Sequence, residues 1–338
     1  MIYINMHISI IRELQKVKCM NRYLDVKRIE FVITRLCNSK CKHCQLGEEE
    51  ERKKFPSHID KDLAVEIVRK VGEKYNPKSV MTFGGEPLLY PEIVYAIHRE
   101  AARVGIPVRD VITNGLWSRN IEKIQETANN LVKSGVNKTS ISVDCFHQEF
   151  ILLKIVRKTA ESLLKAGIAH VSWNPCWVVS KDHDNPYNRK TRAILEELED
   201  LSIQSGEGNI AQPEGRATIW LKDFLPRKTR MPMEKCGDIS YTEELDSVKT
   251  ISVEPDGRIA VCKEFYVGNA FETDITDIIE KYDPFKIPET RAITESGMKG
   301  LLNWAMINGV KPDPAGYYNV CHMCTDIRKR VKRTEKLV

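Results

Sequence analysis

The sequence predicts an α/β protein that is built on a parallel sheet and carries a smaller α+β module at its C-terminal end. From about residue 29 to 225, short β-type runs alternate with helical runs in units of roughly thirty residues. Strand–helix–strand units of this kind form parallel pairs through right-handed crossovers. The number of units indicates a barrel or part of one, and a doubly wound open sheet is the alternative.

Apolar residues at the periods of strands and helices identify the elements of this first part. The first strand, EFVITRL at 30–36, is apolar and rich in β-branched residues, and the helix after it at 59–75 places Leu63, Ile67 and Val71 on one stripe. The series continues with the strands SVMTF (79–83), VRDVIT (108–113), TSISVD (139–144) and HVSWNPCWVV (170–179), and with helices near 91–104, 121–132, 148–166 and 188–203. A sixth unit is predicted around 208–221.

The strand–helix rhythm ends near residue 225, and a different pattern follows. Residues 248–262, VKTISVEPDGRIAVC, contain two strand-like runs joined at Asp256-Gly257, a dipeptide suited to a tight hairpin turn. Helices are predicted near 274–282, 298–308 and 322–334. We therefore predict an N-terminal extension at 1–28, a barrel domain at 29–225 and an α+β domain at 226–338.

Composition and charge narrow the class of protein. The 338 residues are 42% hydrophobic, which is enough apolar material for a sizeable core. The net charge of +5 is mild and lies largely in the tail RKRVKRTEK, which is typical of a solvated helix end, so nucleic acid is not the favoured partner. No apolar run approaches the roughly 18 residues that span a bilayer, and no cleavage site of a signal peptide follows the first apolar patch.

These features predict a cytoplasmic protein that does not contact the membrane. Disulfides rarely persist in that compartment, so clustered cysteines indicate metal ligands or catalytic groups.

The stretch CNSKCKHC, directly after the first strand, contains Cys37, Cys41 and Cys44. It lies at the end of the strand where barrel enzymes place their active sites. One interpretation is a zinc site with a remote fourth ligand. The other is an iron–sulfur cluster whose fourth iron has no protein ligand and is open to a substrate or cofactor.

Polar residues also follow the next three predicted strands. FGGEP (83–87) has two glycines that allow close backbone approach, and its Glu86 is placed to accept a hydrogen bond from a ligand amine. TNG (113–115) ends the third strand and SVDCFH (142–147) ends the fourth. Each motif alone is compatible with a simple turn, but parallel strands bring all of these ends to one mouth.

Together, CNSKCKHC and GGEP resemble the CxxxCxxC loop and the second hallmark of radical S-adenosylmethionine (radical SAM) enzymes. The resemblance implies a partial (β/α)6 TIM-like barrel over about residues 29–221. It implies that Cys37, Cys41 and Cys44 hold three irons of a [4Fe–4S] cluster, and that the amino and carboxylate groups of SAM chelate the open iron. Further SAM contacts are implied for Gly84, Gly85 and Glu86 at the methionine amino group, for His43 at the adenine, and for Ser142 and Asn114.

The same resemblance implies the reaction. An external one-electron reductant of the flavodoxin or ferredoxin type reduces the cluster, SAM is split, and a 5′-deoxyadenosyl radical abstracts a hydrogen from the substrate. Asp144 and His147 are candidate proton acceptors near that radical, although backbone amides could equally satisfy Asp144. Cys145, like Cys176, is either a buried small hydrophobe or a hydrogen donor. Arg216 is a candidate partner for a carboxylate of SAM or substrate.

Four later cysteines predict a second site. Cys236, Cys262, Cys321 and Cys324 could bind a structural zinc ion, and the final CHMC could be a redox pair. The stretch ISVEPDGRIAVCKEFYVGN, however, resembles the auxiliary-cluster domains called SPASM and, in the shorter form, twitch. Four cysteines are fewer than the seven of a full two-cluster SPASM domain. We therefore predict a twitch-like domain with one fully ligated auxiliary [4Fe–4S] cluster.

The substrate is predicted by association with this domain type, since SPASM and twitch domains are frequent among peptide maturases. We predict oxidation or cross-linking of a peptide or protein. The alternatives are dehydrogenation of a small metabolite such as an amino sugar, modification of RNA or a nucleotide, and a non-catalytic zinc or iron–sulfur protein. The 36 residues before Cys37 are too few for a winged-helix peptide-recognition domain. The late cysteines and the C-terminus also differ from those of the molybdenum-cofactor relative.

Overall fold

A computed structural model describes residues 21–226, 228–232, 234–239, 242–263 and 265–335. Residues 1–20 of the predicted N-terminal extension lie outside this range. The chain forms ten strands within the described residues: β1 (Leu24–Thr34), β2 (Ser79–Gly84), β3 (Val108–Thr113), β4 (Lys138–Ile141), β5 (His170–Trp173), β6 (Cys176–Trp177), β7 (Asn209–Ile210), β8 (Val248–Val253), β9 (Arg258–Cys262) and β10 (Phe265–Asn269).

Helices alternate with the strands of the first part as predicted, and three further helices of the described residues follow β10. The helices are α1 (Glu49–Arg52), α2 (Lys61–Tyr75), α3 (Pro91–Arg103), α4 (Ile121–Lys133), α5 (Leu153–Ala166), α6 (Pro186–Glu196), α7 (Ala217–Trp220), α8 (Ile275–Lys281), α9 (Pro288–Ile307) and α10 (Val320–Glu335). Asp60, Asn120 and Asn185 cap the N-termini of α2, α4 and α6 through their side chains. No helix in the described ranges is long and apolar enough to cross a membrane.

One eight-stranded sheet organises the fold, in the order β10-β9-β8-β1-β2-β3-β4-β5. Strands β1 to β5 pair in parallel, as the alternating pattern predicts. The stripe of α2 that contains Ile67, Val68 and Val71 is buried, and Phe31 of β1 is fully buried in the same core. Among the described residues this sheet does not close on itself, which is consistent with a partial barrel. The predicted α/β class is confirmed.

The chain departs from the predicted pattern after β4 and β5. The predicted strand 139–144 ends at Ile141, because Asp144 accepts the backbone N–H groups of Phe146 and His147 and turns the chain. The predicted strand 170–179 is broken at Asn174-Pro175, where proline has no N–H for a sheet bond. Strand β6 then leaves the main sheet and pairs with β7.

The predicted hairpin forms, with β8 and β9 antiparallel and Gly257 in the left-handed region at φ 79°. Strand β8 also lies parallel to β1, with Val253 opposite Phe31. The main sheet therefore continues across the predicted boundary at residue 225, and the division into domains stays a prediction. Helix α9 begins ten residues earlier than predicted and is kinked at Gly297 (φ 58°, ψ −146°).

The end of β1 crosses the end of β2 at backbone contact distance. The N–H of Gly85 donates to the Thr34 carbonyl at 2.7 Å, and the N–H of Glu86 donates to the Leu36 carbonyl at 2.9 Å. A Cβ on Gly85 would lie 1.9 Å from the Leu36 oxygen, and one on Gly84 (φ +140°) would lie 2.4 Å from the Thr34 oxygen. Gly84 and Gly85 therefore allow the end of β2 to lie against the backbone of residues 34–36, directly before Cys37.

We expect Gly85→Ala to destabilise the protein by about 3 kcal/mol or more, because β1 and β2 must separate to admit a methyl group. Gly206→Ala is the matched control, since a Cβ there meets nothing closer than 3.4 Å. Chemical denaturation of both variants measures the difference in the free energy of unfolding. Equal losses in the two variants would contradict the steric account.

Candidate functional site

The loop after β1 contains Cys37, Cys41 and Cys44. Cys41 is buried and the other two are half-buried. The loop is held by its own backbone, since the N–H of Ser39 lies 3.4 Å from the Cys37 Sγ and the N–H of Cys44 donates to the Cys41 carbonyl at 3.2 Å. Burial, with a contribution from the Glu86 carboxylate, raises the pKa of Cys37 to about 12, and burial also raises the pKa of Cys44. These sulfurs need a bound cation to persist as thiolates, which fits a metal centre.

The spacing of the thiols separates the two kinds of metal site. A tetrahedral zinc ion with Zn–S distances of about 2.3 Å would bring its thiolates to within about 3.8 Å of one another. In the described part of the chain, no three cysteine sulfurs lie within 4.8 Å of one another. Among the described residues, neither set of cysteines therefore holds three sulfurs at the spacing of a tetrahedral zinc ion.

Glu86 joins the ends of β2 and β3. Its buried carboxylate accepts from the N–H of Leu88 at 3.0 Å, the hydroxyl of Thr113 at 2.8 Å and the N–H of Asn114 at 2.8 Å. Burial raises the pKa of Glu86 to about 7 in spite of these hydrogen bonds. A carboxylate offers about four acceptor positions, so one remains for a ligand donor.

Asn114 and Ser142 extend this junction to the next strand ends. The Asn114 amide donates to the Asn38 side chain at 2.7 Å and lies 3.7 Å from the Cys37 sulfur. The N–H of Ser142 donates to the Thr113 carbonyl at 2.8 Å, directly after β4. The ends of the first four strands therefore meet at the cysteine loop, as their motifs predict.

Asp144 is buried and already has its hydrogen-bond donors. It accepts from the N–H groups of Phe146, His147 and Cys176 at 2.9 to 3.0 Å and from the Nδ1 of His147 at 2.9 Å. Burial opposes its charge, but His147 and the backbone donors hold the pKa of Asp144 at about 2. Burial likewise opposes the charge on His147, yet Asp144 and Cys41 raise its pKa well above the usual value. The pair is therefore ionised and lies beside Cys41, an arrangement that suits positioning better than proton exchange.

The His43 ring contacts the rings of Phe146 and His147, with ring centroids 5.0 Å away in each case. Burial lowers the pKa of His43 to about 4, so the ring is neutral. Its Nδ1 is buried and has no hydrogen-bond partner within the described residues. His43, Asp144 and His147 have ligand atoms within 4.8 Å of one another, as a metal site would require. The oxygens of Asp144 are committed to N–H donors, however, so a polar network explains this group.

Cys145 and Cys176 are 2% and 3% exposed. The N–H of Cys145 donates to the Thr191 hydroxyl at 3.2 Å. Burial raises the pKa of Cys145 to about 11 and that of Cys176 well above its usual value. Both remain neutral thiols, which fits the small-hydrophobe interpretation; hydrogen donation stays a prediction.

Arg216 contacts the cysteine loop through both its side chain and its backbone. Its guanidinium pairs with Glu48 and donates from Nε to the Cys41 carbonyl at 3.2 Å. Its backbone N–H donates to the Cys44 carbonyl at 2.9 Å. The carboxylate that Arg216 binds here therefore belongs to the chain itself. Sequence analysis missed Glu48, because a charged residue in a run of glutamates has no distinguishing pattern.

The four later cysteines converge from three places in the chain. Cys236 lies in the loop before β8, Cys262 ends β9, and Cys321 and Cys324 lie in the first turns of α10. Burial raises the pKa of Cys236 and Cys262 to about 12, and the neighbouring cysteines of the set add to the effect. Four cysteine sulfurs are suitable ligands for a second metal group. They come from three segments that lie apart in the sequence.

Comparisons with known proteins agree with this geometry. The model of the family described as "Radical SAM superfamily" matches residues 31–171. A "Probable GTP 3',8-cyclase" of Sulfurisphaera tokodaii is 22% identical over 272 residues, which cover 78% of this chain and 74% of that protein. The "Putative peptide biosynthesis protein YydG" of Bacillus subtilis is 24% identical over 177 residues, 52% of this chain and 51% of that protein.

A solved structure described as "Native anSMEcpe with bound AdoMet" has a similar fold. Its TM-score is 0.52 at 14% identity, and the match covers 92% of this chain and 96% of that one. The family match includes the last four residues of β1, the cysteine loop and the GGEP motif, and the shared fold extends over nearly the whole chain. The chain therefore contains a radical SAM superfamily domain over residues 31–171.

Proposed function

We propose that this radical SAM enzyme abstracts a hydrogen atom from a peptide or protein and thereby oxidises or cross-links it. The observation that carries the catalytic part is the three-cysteine loop at the joined ends of β1 to β4, with no fourth cysteine in the loop. Membership of the family implies a [4Fe–4S] cluster and SAM. When bound, the cluster supplies the electron that splits SAM into methionine and a 5′-deoxyadenosyl radical.

The chain's own residues would bind and shield these groups. Cys37, Cys41 and Cys44 hold the cluster in this proposal, and the remaining acceptor position of Glu86 receives the methionine amino group. The neutral ring of His43 has a free buried nitrogen for a polar ligand atom such as one of adenine.

Two further parts of the chain would position the loop and shield it from water. Asp144 orients His147 beside Cys41, and Arg216 anchors the loop backbone, so that the thiolates keep their geometry during reduction. Burial of this region keeps water from the reacting atoms.

The later cysteines would hold a second, auxiliary [4Fe–4S] cluster of the twitch type. Four protein thiolates leave no open iron, so this cluster would store or transfer electrons instead of binding substrate. An external one-electron donor of the flavodoxin or ferredoxin type would reduce the cluster at Cys37, Cys41 and Cys44. The 5′-deoxyadenosyl radical would remove a hydrogen atom from the substrate, and the substrate radical would pass a second electron to the auxiliary cluster, so the substrate loses two electrons overall.

Similarity to YydG supports a peptide substrate, since the printed name of that protein refers to peptide biosynthesis. Similarity to a GTP 3',8-cyclase over a longer stretch favours a second candidate, in which the substrate is a nucleotide. We place the peptide candidate first, because the auxiliary-cluster domains that the later cysteines resemble are frequent among peptide maturases.

We expect about eight irons per chain after anaerobic reconstitution, and about four in either of two multiple variants. Replacement of Cys37, Cys41 and Cys44 by Ala should abolish reductive SAM cleavage, because the iron that binds SAM is lost. Replacement of Cys236, Cys262, Cys321 and Cys324 by Ala should retain cleavage. Iron analysis and chromatographic detection of 5′-deoxyadenosine measure both. A colourless protein loaded with zinc would contradict the proposal, and four irons in the unmodified protein would remove the second cluster.

The substrate class can be identified by deuterium transfer. The reduced enzyme is incubated with SAM and either deuterated GTP or a small-peptide fraction from cells grown on deuterated amino acids. We expect 5′-deoxyadenosine to gain deuterium from the peptide fraction, as measured by mass spectrometry, because the radical removes a carbon-bound hydrogen. The triple Cys→Ala variant of the first loop is the control. Deuterium gained from GTP alone would favour the nucleotide candidate.

A further inference from the structure

The segment 212–216, QPEGR, lies between the two cysteine sites. On one side it contacts the first cysteine loop: Arg216 binds the carbonyls of Cys41 and Cys44, and a Cβ on Gly215 (φ +54°) would lie 2.6 Å from the Cys44 oxygen. A side chain at position 215 would therefore push the segment off the loop. The segment is fixed at this side by backbone contact.

On its other side, the segment reaches the later cysteines through Glu214. The Glu214 carboxylate pairs with the Nζ of Lys263 at 2.5 Å, and the two side chains are only 20% and 26% exposed. Lys263 directly follows Cys262. Its backbone lies in the left-handed region at φ 35°, which is uncommon for residues other than glycine. The fold thus holds the Lys263 backbone in a conformation that lysine rarely adopts, directly after Cys262.

Both charges act on the same sulfur. Burial raises the pKa of Cys321, and the Lys263 ammonium opposes this rise whereas the Glu214 carboxylate adds to it. Lys263 also opposes the rise that burial causes in the pKa of Cys262, its neighbour in the chain. Reduction of an iron–sulfur group adds one negative charge, which a nearby cation stabilises and a nearby anion destabilises. The partial burial of the pair limits screening by water and salt.

We propose that Lys263 and Glu214 are positioning residues that set the reduction potential of the second iron–sulfur group in opposite directions, with Lys263 raising it and Glu214 lowering it. This inference rests on the proposed function, because it requires a cluster at the four later cysteines. Through Arg216 and Gly215, the same short segment ties this tuning pair to the loop that would bind the first cluster.

The test isolates the second site in the variant with Cys37, Cys41 and Cys44 replaced by Ala. Redox titration followed by electron paramagnetic resonance compares that parent with added Lys263→Gln or Glu214→Gln. We expect Lys263→Gln to lower the potential and Glu214→Gln to raise it. Each change should alter the ratio of reduced to oxidised cluster about tenfold at a fixed potential, or about 59 mV for one electron. The double variant should return towards the parent, and Lys263→Arg should restore the potential.

Lys281→Gln is the matched control, because the Lys281–Asp277 pair lies on the exposed surface of α8 and should leave the potential unchanged. A purely structural role would move both charge variants in the same direction or leave both unmoved, and either result would overturn the inference while the proposed function stands. If Lys263→Gln does not retain iron, the comparison of Glu214→Gln with Lys263→Arg decides: an unchanged potential in Glu214→Gln overturns the inference. A parent without iron would instead remove the second cluster from the proposed function, and the inference with it.

Discussion

The backbone crossing between the ends of β1 and β2 is the constraint on which the rest of the site depends. Thr34 and Leu36 accept the N–H groups of Gly85 and Glu86, and no side chain fits between the two segments. This contact fixes the direction in which the chain leaves β1, and therefore the start of the cysteine loop. It also places the Glu86 carboxylate where it can bind the end of β3. Gly84 and Gly85 thus permit the backbone contact that fixes the start of the loop.

A second group of buried polar contacts orients the loop from the opposite side. Asp144 gathers three backbone N–H groups and the ring of His147, and Arg216 binds two carbonyls of the loop. Buried charges are stable only when paired or hydrogen-bonded, and each of these has such partners within the chain. Arg216 therefore binds the loop directly, and Asp144 fixes the turn after β4 that carries His147.

The sheet order connects the strands that lead to the two sets of cysteines. Strand β8 pairs with β1, so the hairpin that ends in Cys262 is attached to the strand that leads into Cys37. The segment 212–216 then spans the remaining gap, with Glu214 on one site and Arg216 on the other. These contacts join residues that are far apart in the sequence. Arg216 is 168 residues from Glu48 and 175 residues from Cys41.

Local pattern determined much of this protein. Apolar periodicity predicted the order of strands and helices, the spacing of Cys37, Cys41 and Cys44 predicted a metal loop, and Asp256-Gly257 predicted the hairpin, because each depends on residues close in the chain. Only the tertiary structure decided that β8 lies beside β1, that Asp144 is already saturated and that Arg216 binds Glu48. Those contacts join segments far apart in sequence, and the burial that gives them their energy exists only after the chain has folded.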